Sequence, residues 1–246
     1  MDPLAKLRET MVNRRCSFNI KLVTEQDVLK IITSLNNTSS TGVDFIDAQT
    51  IKLVKHEIVA AVTRIINLSI QTSTFPSIYK HSQIIPLKKK PSLNDLECSS
   101  YRPVNLLPIA GKIVEKAVFN QLPLYLEENK LIHPNHHGGR KGHSTTTALV
   151  QMYNVWIEQM EEGKLVGIMM IDQSAAFDLC DHLLLVQKMK LLGVDENAAC
   201  WMESYLSKKV TEYTSGWLPV CCPAAAALLS HTRGYRLWTA IPYLHK

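Results

Sequence analysis

"LVGIMMIDQSAAFD", residues 165–178, is the stretch on which the reading of this chain turns. An apolar run, entered through the turn Gly163-Lys164, ends abruptly in Asp172. A short apolar run bounded by a turn fits a buried strand, and the spacing predicts one over Leu165–Ile171. A side chain at the end of such a strand is held rigidly at the rim of a core. There a carboxylate can face water, phosphate and a hard cation together. A strand-end aspartate can equally cap a helix or close a turn. Asp172 alone does not decide between these uses.

The chain has 246 residues, 46% hydrophobic and 20% charged, an ordinary globular composition. No apolar run is long enough to span a membrane, and "MDPLAKLRETMVNRRC" at the start is not a secretory signal. Six scattered cysteines form no C-x-x-C pair and read as reduced thiols of an intracellular protein, nuclear or cytoplasmic. His133, His136, His137 and His143 lie among Gly, Pro and Asn and read as a polar loop rather than a metal site. Between Tyr79 and Thr145 there are ten Lys or Arg residues against five Asp or Glu. Such a basic zone suits a polyanionic partner or forms a solvated surface.

Helices are expected over Thr24–Leu35, where Thr24 and Asp27 resemble a capping box, and over Asp47 to about Ser69. In the second, Ile51, Val54, Ile58, Val62, Ile65, Ile66 and Ser69 mark the buried side. "SQIIPLKKK" reads as a short strand emerging into a basic tip. Residues 110–129 are helical with an interruption forced by Pro123. "HPNHHGGRKGHS" is a glycine-rich basic loop, after which Ser144 or Thr145 caps a helix to about Glu161. Two more helices fit His182–Leu192 and Glu196–Leu206. Many helices with few strands indicate an α+β fold. Beyond Lys209 no sustained period appears.

"IDQSAAFD" resembles the first catalytic motif of the reverse transcriptases of non-LTR (LINE-type) retrotransposons. "CDHLLLVQKMKLLGV" is similar to the helix that follows it, and "YRPVNLLPIAGKIVEKAVFNQL" to a fingers motif of that family. "GGRKGHSTTTAL" resembles the next fingers motif, with Gly139 where the family usually has Phe. "TGVDFI" and "IIPLKKKPS" fall in the same order, so the resemblance spans Thr41 to Lys209. "GGRKGHSTT" is not a phosphate-binding P-loop, since the glycine required five residues after Gly138 is His143.

The resemblance implies fingers and a partial palm of a right-hand polymerase, acting on an RNA template, a DNA primer and deoxynucleoside triphosphates with Mg²⁺. Asp172 matches the catalytic, metal-binding aspartate, and the peptide carbonyl of Gln173 would be a second metal ligand. Phe177 matches the residue that packs under the incoming sugar, and would otherwise be a core aromatic. Asp178 would cap the next helix. Lys89 and Arg102 match the pair that grips the triphosphate, with Lys88 or Lys90 as substitutes for Lys89. Arg140 and Lys141 would lie near template phosphates.

The family completes its metal site with adjacent aspartates in a Tyr/Phe-Ala-Asp-Asp hairpin. From Asp178 onward the acids are Asp178, Asp181, Asp195, Glu196, Glu203 and Glu212, and the adjacent two, Asp195-Glu196, open a helix instead. "GYRLWTAIPYL" stands where the family's glycine-rich motif is expected. The expectation is therefore a truncated or degenerate copy: a segment 1–40 of helix and linker, fingers and partial palm over 41–209, and an unassigned tail over 210–246. Such a chain would be catalytically inactive. It could instead serve as a non-catalytic nucleic-acid-binding module, or be an unfolded pseudogene product.

Overall fold

A computed structural model describes residues 4–11, 16–37, 41–95, 97, 100–172, 180–207 and 210–213. Its helices are α1 (Ala5–Met11), α2 (Glu25–Thr33), α3 (Ala48–Leu53), α4 (Lys55–Gln71), α5 (Ile109–Phe119), α6 (Gln121–Glu128), α7 (Thr145–Glu161), α8 (His182–Leu191) and α9 (Glu196–Leu206). Its strands are β1 (His81–Lys88), β2 (Tyr101–Leu106) and β3 (Val210–Tyr213). The mixed composition agrees with the α+β expectation.

The helix starts follow local chemistry. Thr24 Oγ1 accepts from the Asp27 N–H at 3.2 Å, and Asp27 Oδ2 accepts from the Thr24 N–H at 3.1 Å, the reciprocal box read in the sequence. Ser144, rather than Thr145, caps α7 by accepting from the Thr147 N–H. Asp195 caps α9 by accepting from the Ala198 N–H at 2.7 Å. The helix after the central motif is capped by Asp181, which accepts from the N–H groups of Leu183 and Leu184. The sequence expectation places that cap at Asp178, which lies outside the described residues. Two N–H groups of the first turn point at one carboxylate, and Asp181 is the acid adjacent to them.

Two helical spans are divided. The expected helix from Asp47 breaks at Val54, whose φ of −100° and ψ of 19° leave helical geometry. Its buried side on α4 is Val59, Thr63, Ile66 and Ser69, whereas Val54 and Ile65 are 40% and 39% exposed. The break turns the second helix about its axis relative to a continuous one. Residues 110–129 divide at Asn120, which places Pro123 in the first turn of α6, where its missing N–H costs nothing.

The core gathers the inner faces of α2, α4, α5, α6, α8 and α9. Trp201 stacks on Tyr205 with ring centroids 5.8 Å apart, and Phe75 and Phe119 meet both rings edge-on. Trp201 Nε1 donates to Ser69 Oγ at 2.9 Å, which explains a serine on the buried side of α4. Tyr205 Oη donates to the buried Glu115 carboxylate at 2.6 Å. An extended strap, residues 16–23, crosses this core. Phe18 donates to the Gly193 carbonyl at 2.7 Å and accepts from the Asp195 N–H at 2.9 Å. Farther along, the side-chain amides of Gln121 and Asn67 each both accept from and donate to the strap backbone, at Lys21 and Val23.

The sheet runs β2-β1-β3, with β1 antiparallel to β2 and parallel to β3. Pro86 faces Pro103 in the β1–β2 register. The Lys89 N–H donates to the Ser100 carbonyl at 2.8 Å, so that pair is hydrogen-bonded. By alternation the two prolines face each other at a non-hydrogen-bonded position, where neither strand needs an N–H.

The strand expected at Leu165–Ile171 is not formed: residues 165–172 carry no regular secondary structure, and Leu165, Met169, Met170 and Ile171 are exposed. A strand exists only through its neighbours. Among the described residues none runs beside this one.

Candidate nucleotide and nucleic-acid interface

The β1–β2 hairpin presents two unlike faces. Ser82 and Ile84 of β1 are buried, and Asn105, opposite Ile84, is buried with them. The other face carries Leu87 and, directly opposite it, Arg102, both exposed. Lys89 stands two residues past Leu87 and faces Ser100 through the backbone bond already described. Side chains two apart on a strand share a face. Lys89, Leu87 and Arg102 therefore belong to one exposed face of the hairpin.

The register within the lysine run also has a physical basis. Lys88 projects to the opposite side, where Nζ pairs with the Asp95 carboxylate and donates to the Pro91 carbonyl at 2.9 Å. The hydrogen bond and charge of Lys88 hold the Asp95 carboxyl below the usual carboxylate range. Tyr101 Oη, from the paired strand, donates to the Asp95 carbonyl at 3.1 Å. Lys88 thus closes the hairpin tip, and Lys89 and Lys90 are exposed.

The basic loop before α7 is organised by an ion pair and by histidines. Arg140 binds Glu127 of α6 in bidentate fashion and is largely covered by it. That contact lowers the Glu127 carboxyl from its ordinary value, through the hydrogen bond first and the charge of Arg140 second. Arg140 therefore anchors the loop, while the neighbouring Lys141 is exposed. His137 places Nδ1 2.9 Å from Thr147 Oγ1 and Nε2 2.6 Å from Gln151 Oε1. His136 Nε2 lies 2.9 Å from the Gly138 carbonyl. Among the described residues no three His, Cys, Asp or Glu side chains are grouped to hold a metal.

Asp172 is exposed at the end of the unpaired segment. Gln173 and Phe177 lie outside the described residues. A lone exposed carboxylate does not make a Mg²⁺ site, so the described donor set does not fit that ion. The structure brings Lys89 and Arg102 together on one face, and gives no contact between either and Asp172. Sequence reading missed Asn105. Among the described residues neither its Nδ2 nor its Oδ1 has a hydrogen-bond partner, and only the strand alternation around it signals its burial.

The model of the family described as reverse transcriptase (RNA-dependent DNA polymerase) matches residues 87–230, more than half of the chain. The chain belongs to this reverse transcriptase family. It is 30% identical over 176 residues to the RNA-directed DNA polymerase from mobile element jockey of Drosophila melanogaster, covering 72% of this chain and 19% of the relative. The jockey counterpart of Drosophila funebris is 29% identical over 69% of this chain and 18% of the relative. The probable RNA-directed DNA polymerase from transposon BS of Drosophila melanogaster is 26% identical over 72% of this chain and 19% of its own length. The chain thus spans about a fifth of the curated relatives it matches. The retrotransposon resemblance read from the motifs agrees with these relatives.

Proposed function

We propose that this chain forms the fingers and the first part of the palm of an RNA-directed DNA polymerase of a LINE-type retrotransposon. Its partners would be an RNA template, a DNA primer and deoxynucleoside triphosphates. The observation that carries the reading is the shared exposed face of Lys89 and Arg102. A guanidinium can take two phosphate oxygens at once through its planar fork, and an ammonium beside it adds a mobile point charge. On a two-stranded ladder both are held at fixed spacing, so a triphosphate is bound and oriented without refolding. Lys141 extends the cationic surface, and Arg140 keeps that loop in place through Glu127.

In this family a divalent metal supplies the activation of the primer hydroxyl and the leaving phosphate. The acids available here do not compose its site, so the chain alone is expected to bind nucleic acid and nucleotide without extending a primer. A non-catalytic binding module would use the same surface, and exposed Lys89, Lys90, Arg102 and Lys141 favour it as the activity of the isolated chain. The test is primer extension by the purified chain on an RNA template with Mg²⁺ or Mn²⁺, beside Asp172→Ala. No product is expected from either. Extension by the parent that vanishes in Asp172→Ala would overturn the inactivity.

A further inference from the structure

The β1–β2 hairpin stands on the C-terminal end of α9. The Phe75 N–H donates to Ser204 Oγ at 3.1 Å, and the Lys80 ammonium donates to the Ser204 carbonyl at 2.6 Å. Lys80 ends the single turn Ser77–Lys80, and β1 follows at once. That turn is pressed against α5, where a Cβ added to Gly111 would come within 3.1 Å of Tyr79 Cβ. Beyond α9 the chain returns to the same place, since β3 pairs with His81–Ile84 of β1. Ser204 thus meets the root of the hairpin on the side where the chain enters it.

Lys80 is 8% exposed, and a buried ammonium is costly unless it is hydrogen-bonded, so this bond is not an incidental surface contact. Helix α9 has no basic residue in its last turn, and the cation that suits the negative end of its dipole comes from the hairpin root. The position gives leverage. Lys80 and Lys89 are nine residues apart, about 30 Å along an extended strand. Over such an arm a tilt of about 10° at the root moves the tip by about 5 Å, more than the length of a hydrogen bond. The ladder to β2 fixes Lys89 against Arg102 but fixes neither against the rest of the protein, and β3 supports only the first half of β1.

We propose that Lys80 is a positioning residue: by holding the Ser204 carbonyl, its ammonium sets the angle of the hairpin, and so the place of Lys89 and Arg102 relative to Lys141 on the basic loop. This rests on the reading of hairpin and loop as one nucleic-acid surface. A free triphosphate needs only the hairpin face, which the ladder keeps intact. A single-stranded RNA that reaches from the hairpin to the basic loop needs the angle as well.

The test compares the full chain with Lys80→Met, which removes the charge at nearly equal length. Deoxyadenosine triphosphate and a single-stranded RNA oligonucleotide are titrated separately. Spin labels on ketone-bearing residues at exposed Lys90 and Glu57 report the distance from hairpin tip to core and leave the native cysteines in place. Lys80→Met should weaken RNA binding by about tenfold, the scale of one lost charge-assisted contact, leave triphosphate binding unchanged and broaden the distance distribution. Lys80→Arg, which keeps a charged donor, should restore RNA binding. Should Lys80→Met lose its cooperative melt, Lys80→Gln is judged by the same three measurements. An unchanged distance distribution, RNA binding equal to the parent's, or an equal loss of both ligands overturns the proposal. A parent that binds neither ligand overturns the reading of the surface instead, and the distance distribution then decides the role of Lys80.

Discussion

The Arg140 guanidinium holds the Glu127 carboxylate through two bonds, Nε to Oε1 at 2.5 Å and Nη2 to Oε2 at 2.7 Å. This pair joins the basic loop to α6 and separates two tasks that the sequence presents as one. Arg140 is a tether and Lys141 is a surface cation. Arg140→Ala should cost roughly 1 kcal/mol of stability, a modest value because Glu127 is partly in water. Because Arg140 holds the Glu127 carboxyl below its ordinary 4.5, the contribution is whole above that value and fades as pH falls through the depressed one. Melts of parent and variant should differ at neutral pH and converge in acid. A gap that widens below the ordinary carboxylate range would count against the pair.

Ser69→Ala should destabilise by about 1–3 kcal/mol, well beyond the loss of one small side chain. It strands the buried Trp201 N–H, which donates to Ser69 Oγ at 2.9 Å, and removes the Ser69 hydroxyl from the Thr74 carbonyl. Urea denaturation measures the loss. Trp201→Phe combined with Ser69→Ala should cost less than the sum of the single changes, since the double variant leaves no orphaned donor.

Gly193→Ala should cost at least about 1–3 kcal/mol. Its φ is +90°, and an added Cβ would stand 2.2 Å from the Cys16 carbonyl oxygen and 2.5 Å from Tyr125 Oη. Both strain and collision act at the turn where α8 meets the strap. Loss of strap protection in hydrogen exchange, at Phe18 first, is the expected signature. Unchanged exchange with an unchanged melt would show that the turn tolerates a side chain.

Lys89→Glu and Arg102→Glu should weaken triphosphate and nucleic-acid binding without shifting the melt, because both residues are exposed. Binding should fall steeply with salt, and each reversal should reduce the salt slope by about one ion. Fluorescence titrations at several salt concentrations provide the measure. If both variants bind as the parent does, this face of the hairpin is not the phosphate-binding surface.

Much of the helical layout was legible because caps are local. Thr24 with Asp27, Ser144 and Asp195 each announce a helix within four residues of sequence, and each forms the bond its type implies. The first strand of the hairpin and its basic tip were legible from the apolar-to-lysine transition after Ile85, whereas β2 was not. What was not legible depends on distant partners. Leu165–Ile171 has the composition of a strand, yet pairing is supplied from elsewhere in a chain and composition cannot state whether it is. The break at Val54 has no Gly or Pro to mark it, so the face of α4 was read about one residue out of phase. Asp178 and Asp181 both precede α8 in the sequence, and the cap is Asp181, next to the first turn. In the site, residue types gave Arg102 and Lys89, but only the strand register separates Lys89 from Lys88. The role of Arg140 depends on Glu127, thirteen residues upstream, which nothing in the basic motif indicates.

The strap carries a consequence for the order in which the protein matures on the ribosome. Its bond at Val23 needs Asn67, 44 residues later, and its bond at Lys21 needs Gln121, 100 residues later. At Phe18 it needs Gly193 and Asp195. The Phe18 end of a segment made near the start of synthesis therefore lacks its partners until most of the domain is translated. The segment docks in the order Val23, Lys21, Phe18, so that the strap closes like a seam drawn from its far end. A nascent chain stalled before residue 193 has emerged would carry that strap open, with Phe18 exposed to chaperones and proteases. The emergence of the α8–α9 turn, rather than of any strand, is the step that seals it.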